Sequence, residues 1–219
     1  AARDDEVRPM SHDEVRDETL TLILSGHETT ANVLTWAVAH LRDRDDLWAA
    51  LADEARAVLP EGETPTLRGV MAAPVAGAIL SEALRLAPPV WVAPRRALRD
   101  VEVGGIAVPR GAHVLVSQYA THRSPRWFEE PASFRPERWL EGLEDRLPRG
   151  AYFPFGAGTR KCLGDQFALL EGRLILLEMA RTGRPIPVRA GIPRANPRAT
   201  YRPRGGVDSV VRPPVVRAA

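Results

Sequence analysis

The chain has 219 residues, 44% hydrophobic and 26% charged, the balance of a soluble folded protein with enough apolar material for a sizeable core. A net charge of only +2 at a pI near 9.1 argues against a nucleic-acid or acidic-membrane partner, and the single cysteine excludes an intramolecular disulfide framework. Lys161 is the only lysine, so the other 29 of the 30 basic residues are arginines, which reads as the codon bias of a GC-rich genome.

Residues 1–10 are highly charged and read as neither a signal peptide nor an initiator start, so an N-terminal part is expected to be missing. Ser11 and Glu14 have capping-box spacing and open a long predicted helix to about Leu41, with Leu20, Ile23 and Leu24, then Leu34, Val38 and Leu41, at helical intervals. Its middle holds the polar cluster Ser25-Gly26-His27-Glu28-Thr29-Thr30. A second helix is predicted over 46–58 (Leu47, Leu51, Ala55 and Val58 on one stripe), and a third over 74–86, ending before Pro88-Pro89; Pro60 to Pro65 breaks the chain between them. Val101-Glu102-Val103 and Ile106-Ala107-Val108 around Gly104-Gly105 form a hairpin pattern, followed by a short strand at His113–Val116. Residues 120–160 have no sustained period, and so long an irregular stretch in a compact domain is usually functional. A last helix is predicted from about Leu163 to Arg181 with Phe167, Leu170, Leu174 and Leu177 as its buried stripe, then a Pro- and Arg-rich tail with short strands near 198–211. No apolar run reaches the roughly 18 residues of a membrane span.

Phe155-Gly156-Ala157-Gly158-Thr159-Arg160-Lys161-Cys162-Leu163-Gly164 is the most informative segment. Cys162 stands where an irregular loop gives way to a helix, a setting of free backbone N–H groups and positive dipole that lowers a thiol pKa, and the thiolate is the form that ligates metal. Gly158 and Gly164 clear space for a flat, bulky group, Arg160 offers a fixed fork to a carboxylate, and Phe155 adds an aromatic face. A lone cysteine is commonly a small buried hydrophobe, and a redox thiol or nucleophile is a further reading. None of these accounts for the paired glycines and the arginine.

The decapeptide matches F-x-x-G-x-R-x-C-x-G at every fixed position and so resembles the haem-binding loop of the cytochrome P450 family. The resemblance implies haem b with Cys162 as its axial thiolate and metal ligand, Phe155 and Gly164 beside it, and Arg160 on a propionate; such a ligand favours O–O cleavage. Glu82 and Arg85, three apart on one helix face, would alone be a surface ion pair of about a few tenths of a kcal/mol. They resemble the family's E-x-x-R motif, which with Arg138 of Phe134-Arg135-Pro136-Glu137-Arg138-Trp139 implies a buried structural network. The Gly26–Thr30 cluster is similar to the family's oxygen-activation motif, with Ser25 where Ala or Gly is more usual. There a glycine-loosened helix opens to water, and Glu28 and Thr29 relay protons. Arg95, with Arg96 as its alternative, resembles a further propionate-binding arginine. His122-Arg123-Ser124-Pro125 resembles a structural loop of the family, to which no chemistry is assigned, and Lys161 with nearby arginines is read either as a docking face for an acidic electron donor or as solvated surface.

The fold class implied is mainly α with small β-hairpins, the C-terminal, haem-binding part of the cytochrome P450 fold. Residues 1–219 are expected to be one portion of a single domain whose N-terminal half is absent. The implied function is a cytoplasmic haem-thiolate monooxygenase that uses O2 and NAD(P)H electrons, passed by a ferredoxin or flavoprotein reductase, to oxidise a lipophilic small molecule. The other reading is a non-catalytic haem-binding remnant.

Overall fold

A computed structural model describes residues 9–215; the charged opening up to residue 8 lies outside the described residues. Helix α1 (His12–His40) starts at a complete capping box, in which Ser11 Oγ accepts the Glu14 N–H at 3.3 Å while Glu14 Oε2 accepts the Ser11 N–H at 2.8 Å. Helices α2 (Asp45–Val58), α3 (Leu67–Met71) and α4 (Pro74–Leu86) follow. Next come strands β1 (Ala93–Arg96), β2 (Val101–Val103), β3 (Ile106–Val108) and β4 (His113–Val116). The irregular stretch holds only single helical turns, α5 (Gln118–Thr121), α6 (Glu137–Leu140) and α7 (Leu143–Arg146). Helix α8 (Asp165–Thr182) leads to strands β5 (Arg184–Pro187), β6 (Ala195–Pro197), β7 (Tyr201–Pro203) and β8 (Ser209–Arg212). The sheets are antiparallel pairs, β1 with β4, β2 with β3, β5 with β8 and β6 with β7. Gly104 and Gly105 turn the β2–β3 hairpin at φ +58° and +81°, the conformation that a two-residue primed turn requires.

Leu34 and Ala37 of α1, Trp48 and Leu51 of α2, Ile79 and Leu80 of α4, and Leu176 and Leu177 of α8 form one buried core. Each such leucine or isoleucine contributes roughly 1.5–3 kcal/mol. The approach of α8 to α4 needs Gly172, where an added β-carbon would lie 2.8 Å from Leu80 Cδ2. The Trp48 indole N–H, buried among these helices, satisfies the Leu41 carbonyl at the end of α1 at 3.0 Å.

Two apolar patterns do not bury as their period implies. Leu20, Ile23 and Leu24 are exposed, Leu24 at 73%, because α1 packs on α4, α8, β5 and β7 through its second half. On α8 the buried face carries Gly172, Leu176, Leu177 and Ala180, whereas Phe167 is 67% exposed and Leu174 lies at the margin. The predicted stripe is rotated because α2 and α4 dock on the glycine side, where the helices come closest. Short α3 and strand β1 were not legible as elements in the sequence. Among the described residues no helix is long and apolar enough to cross a membrane.

Helix α4 has no side chain of its own at its N-terminus, since Ala73 is its cap. Glu54 of α2 substitutes, accepting the Val75 and Ala76 N–H groups at 2.8 Å each. Glu54→Ala should therefore cost about 1–2 kcal/mol, the worth of a lost cap, seen as a lower urea midpoint at unchanged slope.

Candidate functional site

The segment before α8 is a closed loop. The Phe153 carbonyl accepts the Gly156 N–H at 3.0 Å, Gly158 to Arg160 make one 3-10 turn, and the Phe155 carbonyl accepts the Cys162 N–H at 2.9 Å. Gly156 and Gly158 both stand at φ +73°, where a side chain would be strained. Cys162 is exposed, which removes the reading of a small buried hydrophobe. Helix α8 begins at Asp165 with Gly164 as its cap, two residues later than expected, so the thiol precedes the helix rather than opening it. Lys161 reaches across the cysteine to Asp165 at 2.5 Å, and this ammonium holds the Asp165 carboxyl below the usual carboxylate pKa.

Around the thiol, Leu163 is 91% exposed, and Phe155 is half-buried against the core. A β-carbon at Gly164 would meet nothing within 4 Å. The Arg160 guanidinium is exposed and has no carboxylate partner among the described residues. Arg95 lies on exposed β1 opposite Val114, and among the described residues its guanidinium donates to the neighbouring Pro94 carbonyl at 2.9 Å; Arg96 lies opposite His113.

Glu82 and Arg85 are both fully buried on α4. Arg85 Nε and Nη2 donate to the two Glu82 oxygens at 2.9 and 2.8 Å. Its remaining N–H groups reach the carbonyls of His122 (2.9 Å), Pro131 (2.8 Å) and Ser133 (3.0 Å), so all five guanidinium donors are satisfied. Glu82 also accepts the Arg135 N–H and the Trp139 indole N–H, each at 2.8 Å. Arg138 Nε lies 3.3 Å from Glu82 outside hydrogen-bond geometry, its Nη1 donates to the Glu129 carbonyl at 2.9 Å, and burial pulls its pKa down. The structure thus joins Glu82, Arg85 and Arg138, and adds Trp139 and the Arg135 backbone. Trp139 was visible within the hexapeptide motif, but its donor role was not read from it.

Helix α1 runs unbroken through Gly26, so the expected opening of the helix is not seen. The Thr29 hydroxyl donates to the Ser25 carbonyl one turn earlier at 2.8 Å, which fills the local acceptor without breaking the ladder. Glu28 Oε1 instead accepts the Thr200 hydroxyl at 2.7 Å and lies 3.6 Å from Arg202 Nη1. Thr200 had no local signal, since it stands 172 residues away in the tail. No hydrogen bond or ion pair among the described residues links the Cys162 loop directly to Arg95 or to Glu28 and Thr29.

The cytochrome P450 family model matches residues 1–182, which is most of the chain. The chain belongs to the cytochrome P450 family. This P450 is 42% identical over 189 residues to cyclooctatin synthase of Streptomyces melanosporofaciens, covering 86% of this chain and 41% of that protein. It is 38% identical to cyclooctat-9-en-7-ol 5-monooxygenase of the same organism, covering 80% of this chain and 38% of that one. With pentalenene oxygenase of Streptomyces avermitilis the identity is 32%, over 82% of this chain and 40% of the relative. The P450 thus spans about two-fifths of the length of these curated relatives. Its fold superposes on the crystal structure of the cytochrome P450DA heme domain with a TM-score of 0.86 at 29% identity, covering 97% of this chain and 47% of that one. For a 6-coordinated cytochrome P450 from Thermus thermophilus the TM-score is 0.76 at 36% identity, over 93% and 50% of the two chains.

Proposed function

We propose that this chain is the C-terminal, haem-binding portion of one P450 domain, and that the complete protein is a haem-thiolate monooxygenase acting on a lipophilic small molecule. The observation that carries it is the Cys162 loop, whose donor set fits haem. It combines a solvent-open thiol, space at Gly164, apolar side chains at Phe155, Leu163 and Phe167, and an Arg160 guanidinium without a carboxylate partner among the described residues. Cys162 would hold the iron, with Phe155 and Gly164 beside the macrocycle and Arg160 and Arg95 on its propionates. Once bound, haem supplies the dioxygen activation, and a thiolate ligand favours O–O cleavage.

Glu28 is half-exposed and Thr29 holds its hydroxyl proton on the Ser25 carbonyl; in this reading the two groups form the proton relay. Glu82, Arg85 and Arg138 touch no reacting atom and position the loops around them. A lipophilic substrate is supported by the relatives named for cyclooctat-9-en-7-ol and pentalenene. Electrons come in this reading from NAD(P)H through a ferredoxin or flavoprotein reductase docked near Lys161. A cytoplasmic location is proposed from the arginine bias of this chain and from its similarity to Streptomyces proteins. The exposed leucines of α1 support a larger domain, as a surface that further chain would cover.

The test is the absorption spectrum of the reduced, CO-bound, full-length protein. A strongly red-shifted Soret band that disappears in Cys162→Ser is expected; a band that survives the substitution overturns the ligand assignment. Thr29→Ala should keep the band and consume electrons without proportionate product, and unchanged coupling would remove the relay role from Thr29.

A further inference from the structure

We propose that Thr200, in the turn between β6 and β7, is a positioning residue that fixes the Glu28 carboxyl group and directs proton delivery to its second oxygen. The proposal rests on the relay reading of Glu28 given above. Thr200 Oγ1 donates to Glu28 Oε1 at 2.7 Å and accepts from Asn32 Nδ2 at 3.2 Å. A hydroxyl has one proton, and here the carboxylate takes it, so the chain runs in one direction, amide to hydroxyl to carboxylate. Asn32 lies four residues after Glu28, one turn along the same face of α1, and is buried. Arg202 Nη1 lies 3.6 Å from the same Oε1.

The turn carrying Thr200 is held on both sides. The Trp91 indole N–H donates to the Arg198 carbonyl at 3.0 Å and the Trp36 indole N–H to the Tyr201 carbonyl at 3.2 Å. The Tyr201 N–H reaches the Pro89 carbonyl at 2.9 Å, and the Tyr201 ring stacks on Trp36 at 5.5 Å. Thr200 is therefore a fixed donor, while Glu28 alone would be a half-exposed side chain with free rotamers. With Oε1 taken by the Thr200 hydroxyl and lying near Arg202, a proton relayed through Glu28 is carried on Oε2. The tail hairpin thus sets which carboxyl oxygen of the α1 acid works, although the two are remote in sequence.

The experiment uses the full-length, haem-loaded enzyme and the variants Thr200→Val, Thr200→Ser and Glu28→Gln. Thr200→Val keeps the shape and loses the donor. It should retain the CO-bound Soret band and lower product formed per NAD(P)H consumed by about tenfold, less than the roughly hundredfold that a 1 Å misplacement can cost. Thr200→Ser should restore the coupling. Infrared difference spectra, with Glu28→Gln identifying the band, should show the Glu28 carboxylate stretch moved by Thr200→Val and returned by Thr200→Ser. If Thr200→Val loses the Soret band, Thr200→Ala takes its place. Coupling and carboxylate band both unchanged overturn the proposal. If Glu28→Gln uncouples and the Thr200 variants do not, the positioning role alone falls; if Glu28→Gln leaves coupling intact, the relay reading falls with it.

Discussion

Glu82→Ala should destabilise the protein by at least about 3 kcal/mol, a large part of the roughly 5–15 kcal/mol that holds a typical domain together. The reason is what it leaves behind. Arg85 is fully buried and has no other carboxylate partner among the described residues; its other hydrogen-bond partners are three backbone carbonyls, which orient the guanidinium without neutralising it. The same substitution orphans the Trp139 indole N–H and the Arg135 N–H, each now bonded at 2.8 Å. Arg85→Met should cost a similar amount, because it frees Glu82 and strips a donor from the His122, Pro131 and Ser133 carbonyls together. The two losses overlap, so the double variant should be clearly less destabilised than the sum of the singles, yet not neutral as a simple buried pair often is. Urea unfolding of the full-length protein measures all three. A loss below about 1 kcal/mol for Glu82→Ala would show that the pair adds no more than an exposed one.

Acidification from pH 7 to 4.5 should weaken the fold, with the buried His122 alone approaching about 1.4 kcal/mol per pH unit. Burial first, then the Arg85 and Arg123 charges, lower the His122 pKa from 6.5 to about 3. Its Nε2 accepts the Phe153 N–H at 3.0 Å, so a proton there would replace a hydrogen bond with two opposed donors. His40, ring-stacked on Phe134 at 4.6 Å, is lowered to about 4, chiefly by burial. The sign follows from proton counts. Both rings stay neutral in the fold while the unfolded chain takes up protons below about pH 6.5, so stability is present above that pH and lost below it. The carboxylates of Asp46 and Asp165 have pKa values lowered from 3.8, by Arg44 and Lys161, so their contributions are lost mostly below this window, from about pH 5 downward. His122→Gln keeps an acceptor for Phe153 and cannot titrate there. Its urea midpoint should change less between pH 7 and 4.5 than that of the parent, and parallel curves for the two would remove His122 as the cause.

How much of this was legible in the chain differs by feature. The Ser11–Glu14 box, the α2 stripe and the Gly104-Gly105 hairpin rest on residues a few positions apart, and each folds as its spacing implies. Strand β1 was hidden because its ladder partner, β4, lies beyond an intervening hairpin. Phe167 and Leu174 on α8 and Leu20 to Leu24 on α1 satisfy the helical period, but a period says only that residues share a face. Glu82, Arg85, Arg138 and the Cys162 loop were visible as motifs, whereas the acceptors that complete Arg85 could not be, since they are carbonyls of 122, 131 and 133 and have no side-chain signature.

The sequence by itself determined the capping box that opens α1, the stripe of α2 and the Gly104-Gly105 hairpin, which residues match the family's motifs, and that any thiol ligand must be Cys162. Only the tertiary structure decided which apolar faces are covered, that Glu54 caps a helix 21 residues on, and that Thr200 meets Glu28 across 172 positions. Local signals arise from backbone bonds and side-chain faces within a turn or two. Burial and long-range hydrogen bonds depend instead on which distant element arrives opposite a residue, a fact that exists only once the chain has packed.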